Sequence, residues 1–216
     1  MPNVSYCEDN NEVHYNPDPF NGHAYVDLGL PSGTKWATMN VGASSITDYG
    51  LYFSWGGTTG YADASTKVFS WADYELGDGN MTKYNSTDGL TTLEAVDDAA
   101  TVNMGGDWHM PSAEQIQELL NTSYVTNAWV TDYNGSGVNG RLFTSVADNT
   151  KTLFIPASGD CSHGSVNNVG GYGFVWSQSL YESNVLSGRF LDFDSGNAGL
   201  YNDNRYYGQS VRGVVG

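Results

Sequence analysis

The stretch RFLDFDSGNAGLYNDNRYYGQSVRGVV, residues 189–215, sets the terms for the whole chain. Its opening residues alternate in character. Leu191 and Phe193 occupy one face of an extended segment, while Phe190, Asp192 and Asp194 occupy the other. With Leu191 and Phe193 turned inward, the other three are expected to face solvent. A polar run rich in Asn, Tyr, Asp and Gly follows, and the chain closes on SVRGVV (210–215), an apolar segment read as a strand that docks back into the fold. A terminus that merely frays stays polar to its end, so this region reads as an exposed polar-aromatic surface carried on strands.

Working outward, the same period of two recurs. AYVDLGL (24–30) places Val26, Leu28 and Leu30 on one face and meets the turn residues Pro31-Ser32-Gly33. KWATMNVG (35–42), LYFSWGG (51–57) and GFVWS (173–177) are further strand candidates. GRLFTS (140–145) and TLFIP (152–156) flank a polar turn and predict a hairpin. Residues 58–90 read as a long ordered loop anchored by Phe69, Trp71 and Tyr74. Two helices are marked by their caps. Thr91-Thr92-Leu93-Glu94 fits a capping box followed by Leu93, Val96, Ala99 and Ala100 at helical spacing, and Ser112-Ala113-Glu114-Gln115 fits another ahead of Ile116, Leu119 and Leu120. Strands, two helices, then strands again predict an α+β domain with antiparallel sheets and long ordered loops, spanning 23–216 behind a polar arm or linker at 1–22.

Composition narrows the function classes. The 216 residues include six Trp, fifteen Tyr and eight Phe, enough large rings to fill a core. The net charge is −16 with only eight Lys and Arg, too few for a phosphate-tracking stripe, so nucleic-acid binding is not expected. The same acidity disfavours anionic lipid, and no segment is long and apolar enough for direct membrane insertion. MPNVSYCEDNNEV (1–13) lacks the basic and apolar regions of a signal peptide, so none is visible in this chain. Cys7 and Cys161 do not make a disulfide framework.

The motif blocks carry a resemblance. VDLGLPSGTKWATMNVGA (26–43), YGLYFSWGGTTGY (49–61), GGDWHMPSAEQIQELL (105–120), LFIPASG (153–159) and NNVGGYGFVWSQS (167–179) together resemble the Fibrobacter succinogenes major paralogous domain, found in gut Bacteroidetes and their phages. His109 stands where that family usually has Arg. VWSQSLYESN and FLDFDSGNAGLYNDNRYYGQSVR, within 175–212, are similar to the variable region of proteins made by diversity-generating retroelements. The resemblance implies a C-type-lectin-like fold that displays hypervariable side chains from about residue 172 to 209. It implies a fixed frame at Trp176, Ser177, Ser179, Leu191, Phe193, Arg205, Gly208, Ser210, Val211 and Arg212, and variation at Arg189, Phe190, Asp192, Asp194, Tyr201, Asp203, Tyr206 and Tyr207. Gln178, where Ser is usual, and a tail without Pro depart from the pattern.

The residues themselves support a binding surface as much as a plain loop. Tyr offers wide, stiff contact area and Asn, Ser and Gly adaptable polar contacts, yet Asn, Asp and Gly are also turn formers beside which Tyr simply packs. With the resemblance, the expected ligand-binding residues are Tyr181, Arg189, Phe190, Asp192, Asp194, Asn197, Tyr201, Asp203, Tyr206 and Tyr207. Asp192-x-Asp194-x-Gly196-Asn197 lacks the third acid and closing Glu of a calcium loop, and Asp73 and Asp78 do no better, so no metal or other cofactor is expected. His14, His23, His109 and His163 show no ligand spacing, and no nucleophile elbow, phosphate loop or HExxH motif occurs. Trp36, Trp55, Trp71, Trp108 and Trp176 could stack on sugars, but their positions within the motif blocks favour core packing.

The expectation is therefore a non-catalytic protein that binds a protein or glycan ligand, on a phage tail or a bacterial cell surface. The alternative is a carbohydrate-binding surface lectin or adhesin module.

Overall fold

The computed structural model describes residues 19–216. Cys7, His14 and most of the arm expected at 1–22 lie outside the described residues. Of the arm's end, Phe20 packs edge-on against Trp108, whose indole Nε1 donates to the Phe20 carbonyl at 3.0 Å.

The chain is α+β and its sheets are mostly antiparallel. In order come β1 (Tyr25–Val26), β2 (Lys35–Ala37), β3 (Tyr52–Phe53), α1 (Ala99–Met104), α2 (Ala113–Leu119), β4 (Val125–Val130), β5 (Gly140–Ser145) and β6 (Thr152–Pro156). Then follow β7 (Asp160–Ser162), β8 (Ser165–Asn167), β9 (Gly173–Leu180), β10 (Ser187–Phe193), β11 (Ala198–Asn204), β12 (Gln209–Ser210) and β13 (Val214–Val215). The largest sheet runs β11-β10-β9-β12-β3, and three-stranded sheets β1-β2-β13 and β4-β5-β6 pack around it.

Local chemistry explains several of these elements. The β5–β6 hairpin pairs from Gly140 with Pro156 to Thr144 with Thr152, as the alternation predicts. At α2, Ser112 Oγ accepts from the Gln115 amide at 3.2 Å and Gln115 Oε1 accepts from the Ser112 amide at 2.8 Å, the reciprocal capping box. Ile116 and Leu119 point from that helix into the core.

The expected helix start at Thr91-Thr92-Leu93-Glu94 is not observed. The Leu93 amide donates to the Gln178 carbonyl and Thr92 bridges to Ser179, so this segment pairs with β9 instead. Asp98 caps the helix, its Oδ1 accepting from the Thr101 amide at 2.8 Å, and Val96 is exposed. A capping pattern specifies local geometry, and here a strand edge captures its backbone donors first.

The final segment also divides. SVRGVV was expected as one strand, but β12 joins the five-stranded sheet and β13 joins β2. Between them Arg212 is fully buried, with Nε donating to Asn40 Oδ1 at 2.9 Å and Nη1 to the Ala37 carbonyl at 3.0 Å. A buried guanidinium needs several acceptors, and the chain bends where those acceptors converge.

The core has two parts on opposite faces of the central sheet. One gathers Leu28, Trp36, Ile116, Val175, Leu191 and Phe193, and the other gathers Phe53, Trp55, Trp108, Trp176 and Phe190. The Trp residues at 36, 55, 108 and 176 are all core, as expected, and Trp71 is partly exposed. Residues 58–90 are tied down by Arg205, which is fully buried. Its Nε donates to the Tyr74 hydroxyl at 2.9 Å, Nη1 to the Val185 carbonyl at 2.9 Å and Nη2 to the Lys83 carbonyl at 3.0 Å, and its guanidinium lies 4.6 Å from the Trp55 ring centroid. Phe69 and Tyr84 are buried beneath the same loop.

Candidate functional site

Register decides which late side chains share a face. Phe190 pairs with Trp176 on β9 and Tyr201 on β11, and Asp192 pairs with Phe174 and Gly199. Gly188 pairs with Asp203, and the contact of Ser210 with Val175 puts Gln209 on the same side as Phe174. One face therefore carries Phe174, Phe190, Asp192, Tyr201, Asp203 and Gln209. The other carries Val175, Leu191, Phe193 and Leu200 and is covered by α2.

The sequence expected Phe190, Asp192 and Asp194 to face out together, and this needs correction. Phe190 is buried, packed edge-on against Trp176 at 5.6 Å and Phe174 at 5.8 Å. Alternation separates two faces of a strand but does not say that one of them is wet. In a strand inside a five-stranded sheet both can be covered. Tyr206 is also buried rather than an outward anchor, held between Trp71 at 4.8 Å, His163 at 5.6 Å and a stacked Tyr207 at 4.7 Å.

The remaining expected residues fall into three places. Asp192, Asp203 and Tyr207 are half-buried on the described face, and Tyr201 is exposed there. Asp194 and Asn197 sit in the β10–β11 turn. Asp194 Oδ1 accepts from the Gly196 amide at 2.6 Å and the Asn197 amide at 2.8 Å, which holds its carboxyl below the usual range. Tyr181 and Arg189 lie apart, the guanidinium 5.2 Å from the Tyr181 ring, in a groove beside the start of α2 with Ser112, Glu114 and Gln117. The ten expected residues thus do not form one site.

A second wall of the site was not foreseen. β7 and β8 form a tight hairpin whose turn residues His163 and Gly164 both have positive φ, 50° and 77°, the geometry of a two-residue hairpin turn. The pair His-Gly between DCS and SVN was the available signal. Cys161 bridges backbone to backbone with Gly208 at 2.7 and 2.8 Å, which fixes the hairpin against the end of β12. A Cβ on Gly208 would lie 2.5 Å from the Phe69 ring, so only glycine allows this approach. Between the hairpin and the sheet lies an open cleft of about 460 Å³, lined by Asp160, Ser162, Asn167, Asn168, Phe174, Asp203, Tyr207 and Gln209.

The electrostatics of this cleft are one-sided. Burial, with Asp194 nearby, pushes Asp192 up to about 6. Burial, with Asp160 and Asp192 nearby, pushes Asp203 up to about 6 as well. Burial, with Tyr206, Asp203 and Asp160 nearby, raises the Tyr207 phenol. Asp192 Oδ1 and Gln209 Oε1 are buried with no hydrogen-bond partner among the described residues.

Other expected features have ordinary structural roles. Asp73 Oδ2 accepts from the Val68 amide and Oδ1 from the Ser70 amide, both at 2.7 Å. Cys161 is fully buried, and burial pushes its thiol up to about 12. Among the described residues no group of three or more His, Cys, Asp or Glu is arranged to hold a metal ion, and no helix is long and apolar enough to cross a membrane. Comparison with protein-family models, with curated proteins and with solved structures gave no match.

Proposed function

We propose that this chain is a non-catalytic ligand-binding protein whose recognition surface is the face bearing Asp192, Tyr201, Asp203 and Tyr207, together with the adjoining β7–β8 hairpin. The observation that carries this reading is a contrast in burial across the last third of the chain. Trp176, Ser177, Leu191, Phe193, Arg205, Gly208, Ser210, Val211 and Arg212 are buried, and Ser179 is half-buried. These are the positions that the resemblance to retroelement variable proteins marks as fixed. Of those it marks as variable, Arg189, Asp192, Asp194, Tyr201, Asp203 and Tyr207 reach solvent, while Phe190 and Tyr206 do not. A rigid interior beneath a changeable surface is what a recognition scaffold requires. The finer reading is a C-type-lectin-like scaffold displayed on a phage tail or bacterial surface, with a protein or glycan of a bacterial cell surface as ligand.

A carbohydrate ligand has one specific feature in its favour. Tyr172 is exposed and stacks at 5.9 Å on Phe174 beside the amides of Asn167 and Asn168, a ring next to polar groups of the kind that holds a sugar face. A glycan array separates this reading from a protein ligand.

The test is adhesion of the labelled protein to a panel of gut-bacterial cells. Tyr201→Ser with Asp203→Asn should abolish adhesion, and Val96→Ser, at a residue 70% exposed and outside the site, should keep it. If the double variant adheres as well as the parent, or the parent adheres to no cell, the reading fails. In the neighbouring DNA, a reverse transcriptase gene and a near copy of the last coding segment differing at adenines would support the family resemblance.

A further inference from the structure

We infer that the cleft between the β7–β8 hairpin and the β9–β11 face receives a cationic side chain, a lysine ammonium or arginine guanidinium presented by a protein partner. The inference rests on the binding reading above and names the chemistry of that same surface.

The argument is an inventory of donors and acceptors. Three donors in the wall are used internally. Asn168 Nδ2 donates to Asp160 Oδ1 at 2.9 Å, Ser162 Oγ donates to Asp160 Oδ2 at 3.3 Å, and Asn167 Nδ2 donates to Ser162 Oγ at 3.1 Å. The acceptors are left over. Gln209 is 1% exposed and lines the cleft, yet among the described residues its Oε1 has no donor. Asp203 takes one hydrogen bond on Oδ1, from the Asn204 amide at 2.7 Å. Asp192, on the same face, has a buried Oδ1 without a partner. An unpaired buried acceptor costs stability, and the one in the cleft wall, Gln209 Oε1, with Asp192 Oδ1 on the same sheet face, is explained most simply by a donor that arrives from outside.

Charge narrows the donor to a cation. The ionised neighbours that act on Asp203 are Asp160 and Asp192, both negative. Among the described residues no Lys or Arg lines the cleft. Arg141 is committed to the Asp194 and Asn197 carbonyls at 2.8 and 2.9 Å, and Arg189 lies with Tyr181 in the separate groove. A neutral sugar hydroxyl would supply a donor but leave the repulsion between carboxylates in place. A cation removes both deficits. Phe174 and Tyr207 supply ring surface in the wall against which its methylenes or guanidinium plane can lie. The chain's net charge of −16 would draw a basic partner in over longer distances.

The experiment uses single residues as probes. N-acetyl-arginine amide, N-acetyl-lysine amide and N-acetyl-citrulline amide, the last a neutral isostere of arginine, are titrated into the protein up to ~10 mM and followed by amide chemical shifts, since contacts this small bind weakly. At least one cationic probe should saturate and move the signals of Asp203, Tyr207 and Gln209. Citrulline should bind at least about tenfold more weakly, and Asp203→Asn should weaken the cationic probe by a similar factor. Because Asp203→Asn keeps the Oδ1 acceptor for Asn204, its fold is expected to persist, and the spectrum reports that directly. Equal binding of citrulline, unchanged affinity in the variant, or no saturable cation binding would each overturn the inference. If that happens while Tyr201→Ser with Asp203→Asn still abolishes cell adhesion, the cation assignment falls and the binding surface stands.

Discussion

Replacing Asp203 by Asn should make the protein more stable near pH 8 and change its stability far less near pH 4. Burial and the nearby Asp160 and Asp192 push the Asp203 carboxyl from an ordinary 3.8 up to about 6. A raised carboxyl pKa means that the folded state holds its proton more tightly than the unfolded chain does. Below 3.8 both states are protonated and nothing is lost. As pH rises from there the folded state loses stability relative to the unfolded one, and the full penalty stands above about 6. Two pKa units correspond to an upper bound of about 3 kcal/mol. Because the side chain is only half-buried, solvent screening reduces that to roughly 1–2 kcal/mol. Asparagine keeps the acceptor used by the Asn204 amide and removes the charge. Urea unfolding of both proteins near pH 8 and near pH 4 measures the difference, with the midpoint shifting at unchanged slope. By heat, the gain amounts to roughly 3–6 °C. Equal stability at both pH values, or loss of stability near pH 8, would refute the argument that this carboxylate is held at a cost. A residue that weakens the fold and could be relieved by one substitution is a mark of a binding surface.

Other outcomes test the rest of the structure. Tyr201→Ser should change stability by less than about 0.5 kcal/mol, whereas Tyr206→Ser should cost about 3 kcal/mol, since Tyr206 is buried among rings and Tyr201 is not. Equal effects in thermal melts would show the two tyrosines to be placed alike. Arg205→Met should cost at least about 3 kcal/mol by stranding the Lys83 and Val185 carbonyls and the Tyr74 hydroxyl. Limited proteolysis should then cut first within 58–90, and a first cut elsewhere would argue against Arg205 as the tether of that loop. Binding of a cationic probe should weaken as pH falls through about 6, where Asp192 and Asp203 take up protons. Asp160, Asp194, Tyr207 and His163 are the other titratable groups around the cleft. A His163→Gln variant with the same pH profile assigns the change to the two carboxyls, and a profile that vanishes assigns it to the imidazole.

Much of the local structure was legible because it depends on neighbours in sequence. Ser112 and Gln115 cap α2 across three residues, and the β5–β6 hairpin follows from two alternating runs on either side of a polar turn. Leu191 and Phe193 were read correctly as interior for the same reason. Phe190 was misread because the pattern of one strand does not reveal how many layers cover the sheet. Thr91–Glu94 was misread because its cap competes with β9 for the same backbone, and only the fold shows that partner. The cleft was illegible in a stronger sense. Asp160 and Gln209 meet there through the bridge between Cys161 and Gly208, and nothing in either segment announces the other.

The sequence by itself determined the class and part of the elements: most of the strands, the capped second helix, an acidic composition, and an aromatic interior large enough to hold them. These follow from side-chain period and composition, which are properties of short windows. The tertiary structure alone decided which face of β10 meets water, where Arg205 and Arg212 find their acceptors, and which carboxylates crowd together. Those outcomes depend on burial and on charges brought close by distant segments, and both are set only when the layers assemble.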